Sequence, residues 1–119
     1  MSASGKTAPT LIFRLQFEPE GRIGRGKIQL LTHIRETGSI SAGGRAMDMS
    51  YRRAWLLVDE MNRLFRQPVV ESQRGGKQGG GAALTPFGEA LVARYQAMEE
   101  KARLALADDI DWLVANLAD

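Results

Sequence analysis

The sequence predicts a mainly α-helical domain carrying one small β-hairpin and ending in a long C-terminal helix. Apolar residues recur every three or four positions in the stretches near 27–37, 39–47, 50–66 and 86–117, the period of amphipathic helices. Two short β-prone stretches, Val69 to Arg74 and Ala82 to Thr85, flank the glycine-rich run Gly75 to Gly81, the pattern of two strands joined by a loop. At 119 residues, with 44% hydrophobic and 25% charged residues, the chain has the size and composition of one domain with a modest core.

Composition removes several function classes. With no cysteine there is neither a disulfide nor a thiolate metal site, and no apolar run is long enough for a signal peptide or a membrane span. A cytoplasmic protein is expected. Net charge is only +2 but unevenly placed: Arg22 to Lys77 holds 11 Lys/Arg and 5 Asp/Glu, a balance of +6, whereas Gln78 onward holds 3 and 7, a balance of −4. A basic middle and an acidic end point to a polyanion meeting one part of the chain and not the other.

Met1 to Pro9 is small and polar without periodicity and is expected to be a disordered lead. Leu11, Phe13, Leu15 and Phe17 alternate with Ile12, Arg14, Gln16 and Glu18, as in a half-buried strand. Pro19 to Gly26 is read as a turn region whose two arginines, Arg22 and Arg25, are candidates to lie near phosphates. Ile28, Leu31 and Ile34 then mark a first helix from about Lys27 to Thr37, stopped by Gly38. His33 within it has no second ligand nearby in sequence and is read as structural, since a metal site needs several converging ligands.

Ser39 caps a short second helix through about Met47. Its Gly43 and Gly44 are each about 1 kcal/mol worse than alanine in a helix, and close approach of a neighbouring helix is the expected reason for them. Ser50 caps a third helix running to about Arg66, before Pro68. The helical period puts Tyr51, Ala54, Trp55, Val58, Met61, Asn62 and Phe65 on its core side. It puts Arg52, Arg53, Leu56, Asp59, Glu60, Arg63 and Arg66 on its exposed side. The five glycines of Gly75 to Gly81 make a loop longer and looser than a tight two-residue turn.

Thr85-Pro86 is a cap followed by proline at the first helical position, with Glu89 near the positive end of the helix dipole. From there Phe87, Leu91, Tyr95, Met98, Ala102, Leu106, Ile110, Leu113 and Leu117 form one apolar stripe. A continuous helix of about 30 residues spans about 45 Å, more than a domain of this size covers. A second copy of the chain is the simplest cover for the stripe; a break near Ala107 to Asp109 is the alternative geometry.

Two chemical readings fail on the residues. Gly21-Arg-Ile-Gly-Arg-Gly-Lys27 has the spacing of a phosphate loop, but Ile28 stands where a Ser or Thr hydroxyl must hold magnesium, and no parallel sheet surrounds it. One histidine, no cysteine and scattered carboxylates form no catalytic constellation, so no enzyme activity is expected. The pair of serine-capped helices, with arginines at the start of the second and a long hairpin after it, is a winged helix-turn-helix, a reader of double-stranded DNA. Capped three-helix domains that bind no nucleic acid share part of this pattern. The candidate DNA contacts are Ser39, Ser41, Ser50, Tyr51, Arg52, Arg53 and Leu56 from the helix pair, and Arg74 and Lys77 from the wing. The corresponding division is a lead over residues 1–9, a reader over 10–85 and a dimerisation helix over 86–119.

Ser39-Ile-Ser41, Met49-Ser-Tyr-Arg-Arg-Ala-Trp55, Glu60-Met-Asn62, Val69-Val-Glu71, and the run Gly75 to Thr85 followed by Phe87-Gly88 together resemble the N-terminal winged helix-turn-helix domain of the ModE family of molybdate-responsive transcriptional regulators. That domain is similar in turn to the DNA-binding part of LysR-type regulators. The resemblance covers about Leu11 to Met98. It implies a homodimer on a palindromic operator, the long last helix serving dimerisation, and a link to molybdenum metabolism. Full-length members carry a molybdate-binding module after that helix, and 119 residues leave no room for it. No cofactor and no direct molybdate sensing by these residues are therefore expected. Gly43-Gly44 departs from the alanine-rich segment usual in the family. The alternative function is a dimeric protein-interaction module partnering a separate sensor or effector protein.

Overall fold

The computed structural model describes residues 9–73 and 81–118. Two hairpins and five helices follow in the order β1 (Arg14–Phe17), β2 (Gly21–Gly24), α1 (Arg25–Thr37), α2 (Ile40–Arg45), α3 (Tyr51–Leu64), β3 (Val70–Gln73), β4 (Gly81–Leu84), α4 (Pro86–Ala105) and α5 (Ala107–Ala115). The expected lead, residues 1–9, lies outside the described residues except for Pro9.

Apolar periodicity places the core. Ile28, Leu30, Leu31 and Ile34 of α1 are buried against Ala54, Val58 and Met61 of α3 and Val92 and Tyr95 of α4, with Ile23, Val69, Val70 and Ala82 closing it from the hairpins. Gly38 ends α1 at φ 77, a left-handed conformation that glycine adopts without a Cβ penalty. Its carbonyl accepts from the Ala82 amide at 2.9 Å, which ties β4 to the end of α1. β3 and β4 are antiparallel with Val70 opposite Leu84 and Gln73 opposite Gly81. Residues 74–80, the expected loop, lie outside the described residues.

The N-terminal region corrects the sequence expectation twice. Pro19 to Gly26 is not only a turn, because Gly21–Gly24 forms β2 and pairs antiparallel with β1, Leu15 standing opposite Ile23. The half-buried face expected from Leu11 to Phe17 ends early. Leu11 and Phe13 are half-buried, but Leu15 and Phe17 are 39% and 38% exposed, although Leu15 stands opposite the buried Ile23.

The C-terminal stretch is not one continuous helix: the alternative geometry holds, with the break one residue before the expected Ala107 to Asp109. Leu106, at φ −101 and ψ 5, separates α4 from α5, although the Leu106 amide donates a hydrogen bond to the Ala102 carbonyl and the Ile110 amide one to the Leu106 carbonyl across the joint. Two acidic residues, Asp108 and Asp109, lie in the first turn of α5, where carboxylates favour a new helix N-terminus over continuation of the old one.

Candidate nucleic-acid interface

The helix pair is set by its caps. Ser39 Oγ accepts from the Ala42 amide at 2.8 Å and Ser50 Oγ from the Arg53 amide at 3.1 Å, each satisfying an amide that the helix leaves unpaired. Between them the chain turns through Asp48, at φ 59, a conformation that aspartate tolerates better than most side chains. The Met47 and Met49 amides both donate to the Gly44 carbonyl at 2.9 Å, closing the turn. Glycine at 43 and 44 lets α2 lie directly on its neighbours: an added Cβ at Gly44 would meet Ala54 Cβ at 2.7 Å. The close-approach reading of these glycines is thereby accounted for.

The exposed side of α3 differs from the expectation at two residues. Tyr51 and Trp55, assigned to the core side, are 56% and 43% exposed, while Leu57 takes the core-flanking position. Ala54, Val58 and Met61 centre the buried stripe, and at 100° per residue Leu56, Arg52 and Arg63 stand opposite it. Tyr51 and Trp55 then form one flank of the exposed surface and Arg53 and Glu60 the other. Trp55 was outside the expected contact set, yet it lies on the same free surface as Tyr51; its spacing to Tyr51 is the signal that connects them.

Of the remaining candidates, Ser39 and Ser50 already spend an oxygen lone pair on capping, and Ser41 Oγ accepts from Arg45 at 2.9 Å. Arg52 and Arg53 form no ion pair among the described residues. Arg74 and Lys77 lie outside the described residues. The position of the second hairpin relative to α3 is set by Asn62, whose role the periodicity did not show. Its Oδ1 accepts from the Val69 and Val70 amides at 2.7 and 3.2 Å, and its Nδ2 donates to the Val70 carbonyl.

The apolar stripe assigned to dimerisation divides in two. Tyr95 is 1% exposed, stacked on Phe13 with ring centroids 4.9 Å apart, and Phe87, Leu91 and Met98 pack on the same core. These four serve the chain's own interior. Beyond them Ala102 and Ile110 are half-buried, whereas Leu106, Leu113 and Leu117 are exposed, together with Leu104 and with Trp112 at 65%. No residue of α5 is buried.

His33 stands 3.9 Å from Glu36, and no group of three or more metal-ligating side chains occurs among the described residues. No helix among them is long and apolar enough to cross a membrane.

A capped helix pair with a free, arginine-bearing second helix, followed by an antiparallel hairpin, is compatible with a mainly α winged helix-turn-helix. No protein-family model matches the chain. Curated proteins do: it is 51% identical over 78 residues to the molybdenum-pterin-binding protein MopB of Rhodobacter capsulatus, covering 66% of this chain and 29% of that protein. It is 43% identical over 86 residues to the DNA-binding transcriptional dual regulator ModE of Escherichia coli, covering 70% and 33%. The ModE regulator of Yersinia pestis is 41% identical over 98 residues, covering 77% and 37%. The chain is a homologue of the ModE transcriptional regulators and of the Mop proteins, and it spans about a third of the length of the curated relatives it matches.

Proposed function

We propose that this protein is a sequence-specific DNA-binding transcriptional regulator that acts as a homodimer on a palindromic operator. One observation carries the reading: the capped pair α2–α3 leaves Arg52 and Leu56 exposed on the surface of its second helix, in a segment 43% identical over 86 residues to a DNA-binding regulator. In this reading α3 enters the major groove, Tyr51, Arg52 and Arg53 reach base edges or flanking phosphates, and Leu56 meets a thymine methyl. Residues 10–85 are the reader, Arg74 and Lys77 contact the backbone from the wing, and 86–119 bring two copies together. A link to molybdenum metabolism is supported by the name of the Rhodobacter capsulatus relative, a molybdenum-pterin-binding protein.

Selection of bound sites from a random duplex library tests this directly. An enriched inverted repeat is the expected result; recovery of no motif overturns sequence-specific reading. A second reading, an interaction module for a separate protein partner, is favoured by the exposed Trp112, Leu113 and Leu117 of α5. It requires that duplex affinity be absent even at low salt, where a DNA binder is strongest.

A further inference from the structure

The flank of α3 away from Tyr51 and Trp55 forms one wall of an open groove of about 510 Å³. The other wall is the β1–β2 hairpin with the first turn of α1. Arg14, Arg22, Lys27 and Arg53 line it over an apolar floor that includes Met49 and Leu57. A smaller groove of about 360 Å³ shares Arg22, Lys27, Arg53 and Leu57 with it and carries it on along α3 to Glu60 and Leu64.

The charges in this groove are not equivalent. Lys27 pairs with Glu60 at 3.3 Å and donates to the Arg22 carbonyl. Arg25, which borders the groove, is held by Glu99 at 3.2 Å and by the Leu11 carbonyl. Arg14, Arg22 and Arg53 have no ion-pair partner among the described residues. Arg14 stands opposite Gly24 and Arg22 opposite Gln16, so the two arginines share one face of the hairpin. Glu20 and Glu60 also line the smaller groove, but three guanidiniums without an ion-pair partner, together with Lys27 and Arg25, leave the potential along this concave surface positive.

Shape decides which anion fits. A closed pocket suits a small phosphate, with donors converging on one point; here the cations come from β1, β2 and α3 and are strung along an open channel beside the helix. A helix in a major groove about 12 Å wide has a phosphate backbone on each flank. We propose that this groove seats the phosphodiester backbone along one flank of α3, with Arg14 and Arg22 of the first hairpin as phosphate contacts. This rests on the reading of α3 as the helix that enters the major groove.

The test is equilibrium binding to a labelled duplex of random sequence across a salt series, for the wild type, the double variant R14Q/R22Q and R94Q on α4. Loss of two phosphate contacts makes the slope of log K against log salt shallower by about 1.8, whereas R94Q keeps the wild-type slope. Circular dichroism and the urea midpoint of the double variant stay those of the wild type, because both side chains belong to exposed residues. A folded double variant with the wild-type slope overturns this inference and leaves the role of α3 standing. An equal loss in R94Q also overturns it, since the effect is then one of net charge. A wild type that binds no duplex overturns the reading of α3 as well.

Discussion

A methyl group at Gly43 would stand 2.8 Å from Ile34 Cγ1 and 3.0 Å from the Ile34 amide nitrogen, so α1 and α2 touch through backbone at this point. Alanine adds helix propensity of about 1 kcal/mol, but overpacking a tight site costs about 1–3 kcal/mol, and the Ile34 backbone cannot turn aside as a side chain would. Gly43→Ala is therefore expected to lower stability by about 1 kcal/mol net, read as a lower urea midpoint with unchanged slope. Tyr95 gives a second residue-scale prediction. Its hydroxyl donates to the Phe13 carbonyl at 2.8 Å, and burial, with the Glu99 carboxylate nearby and only partly opposed by Arg25, raises its pKa above the ordinary 10.0. The folded chain thus holds this proton to higher pH than the unfolded chain. The resulting stability is present below pH 10 and is lost as pH rises through the folded-state value. Tyr95→Phe removes a hydrogen bond worth about 1 kcal/mol at neutral pH. Thermal midpoints measured from neutral to strongly alkaline pH should show the variant less stable at pH 7, with a flatter alkaline decline.

At the scale of elements, the caps, helix starts and the second hairpin were legible because each depends on a few neighbouring residues. Ser39, Ser50 and Thr85 accept from the amides of Ala42, Arg53 and Gly88 as expected of N-caps. The faces of α3 were less legible. The helical period assigned Tyr51 and Trp55 to the core side, whereas the buried stripe is narrower and centred on the small Ala54, which is what lets α2 lie against it. If α3 enters the major groove, Arg52→Ala and Arg53→Ala should each weaken duplex binding. Loss of an arginine that grips guanine through two hydrogen bonds costs about 1–3 kcal/mol of discrimination, read by fluorescence titration of the selected site against random duplex. Unchanged affinity and salt dependence in both variants would place the reading helix elsewhere. Asn62 joins two elements at once. Asn62→Ala leaves the amides of Val69 and Val70, both buried residues, without their side-chain acceptor. A loss of about 1–3 kcal/mol is expected in urea denaturation, together with faster hydrogen exchange at the Val69 and Val70 amides.

Across the whole molecule, one group of exposed large apolar side chains among the described residues lies at the C-terminal end: Leu104, Leu106, Trp112, Leu113 and Leu117. A solvent-exposed cluster of this kind is what a symmetric partner would cover. Sedimentation at micromolar concentration should give about twice the 13.1 kDa chain mass, and Trp112→Asp with Leu113→Asp should return it to one. A wild type that stays monomeric while binding an inverted repeat tightly would sink the dimer, because two-fold symmetry is what spaces the half-sites. Local chemistry, read from the residues themselves, determined the helix pair, its caps, the paired strands Val70–Gln73 and Gly81–Leu84 and the absence of cysteine chemistry, since hydrogen-bonding and period are short-range properties. Only tertiary structure decided that Gly21–Gly24 is a strand, that Tyr95 belongs to the chain's own core, that the last helix divides at Leu106, and that Arg14, Arg22 and Arg53 line one groove. Those outcomes depend on which surfaces meet across long stretches of chain, and neither periodicity nor spacing along the sequence records that meeting.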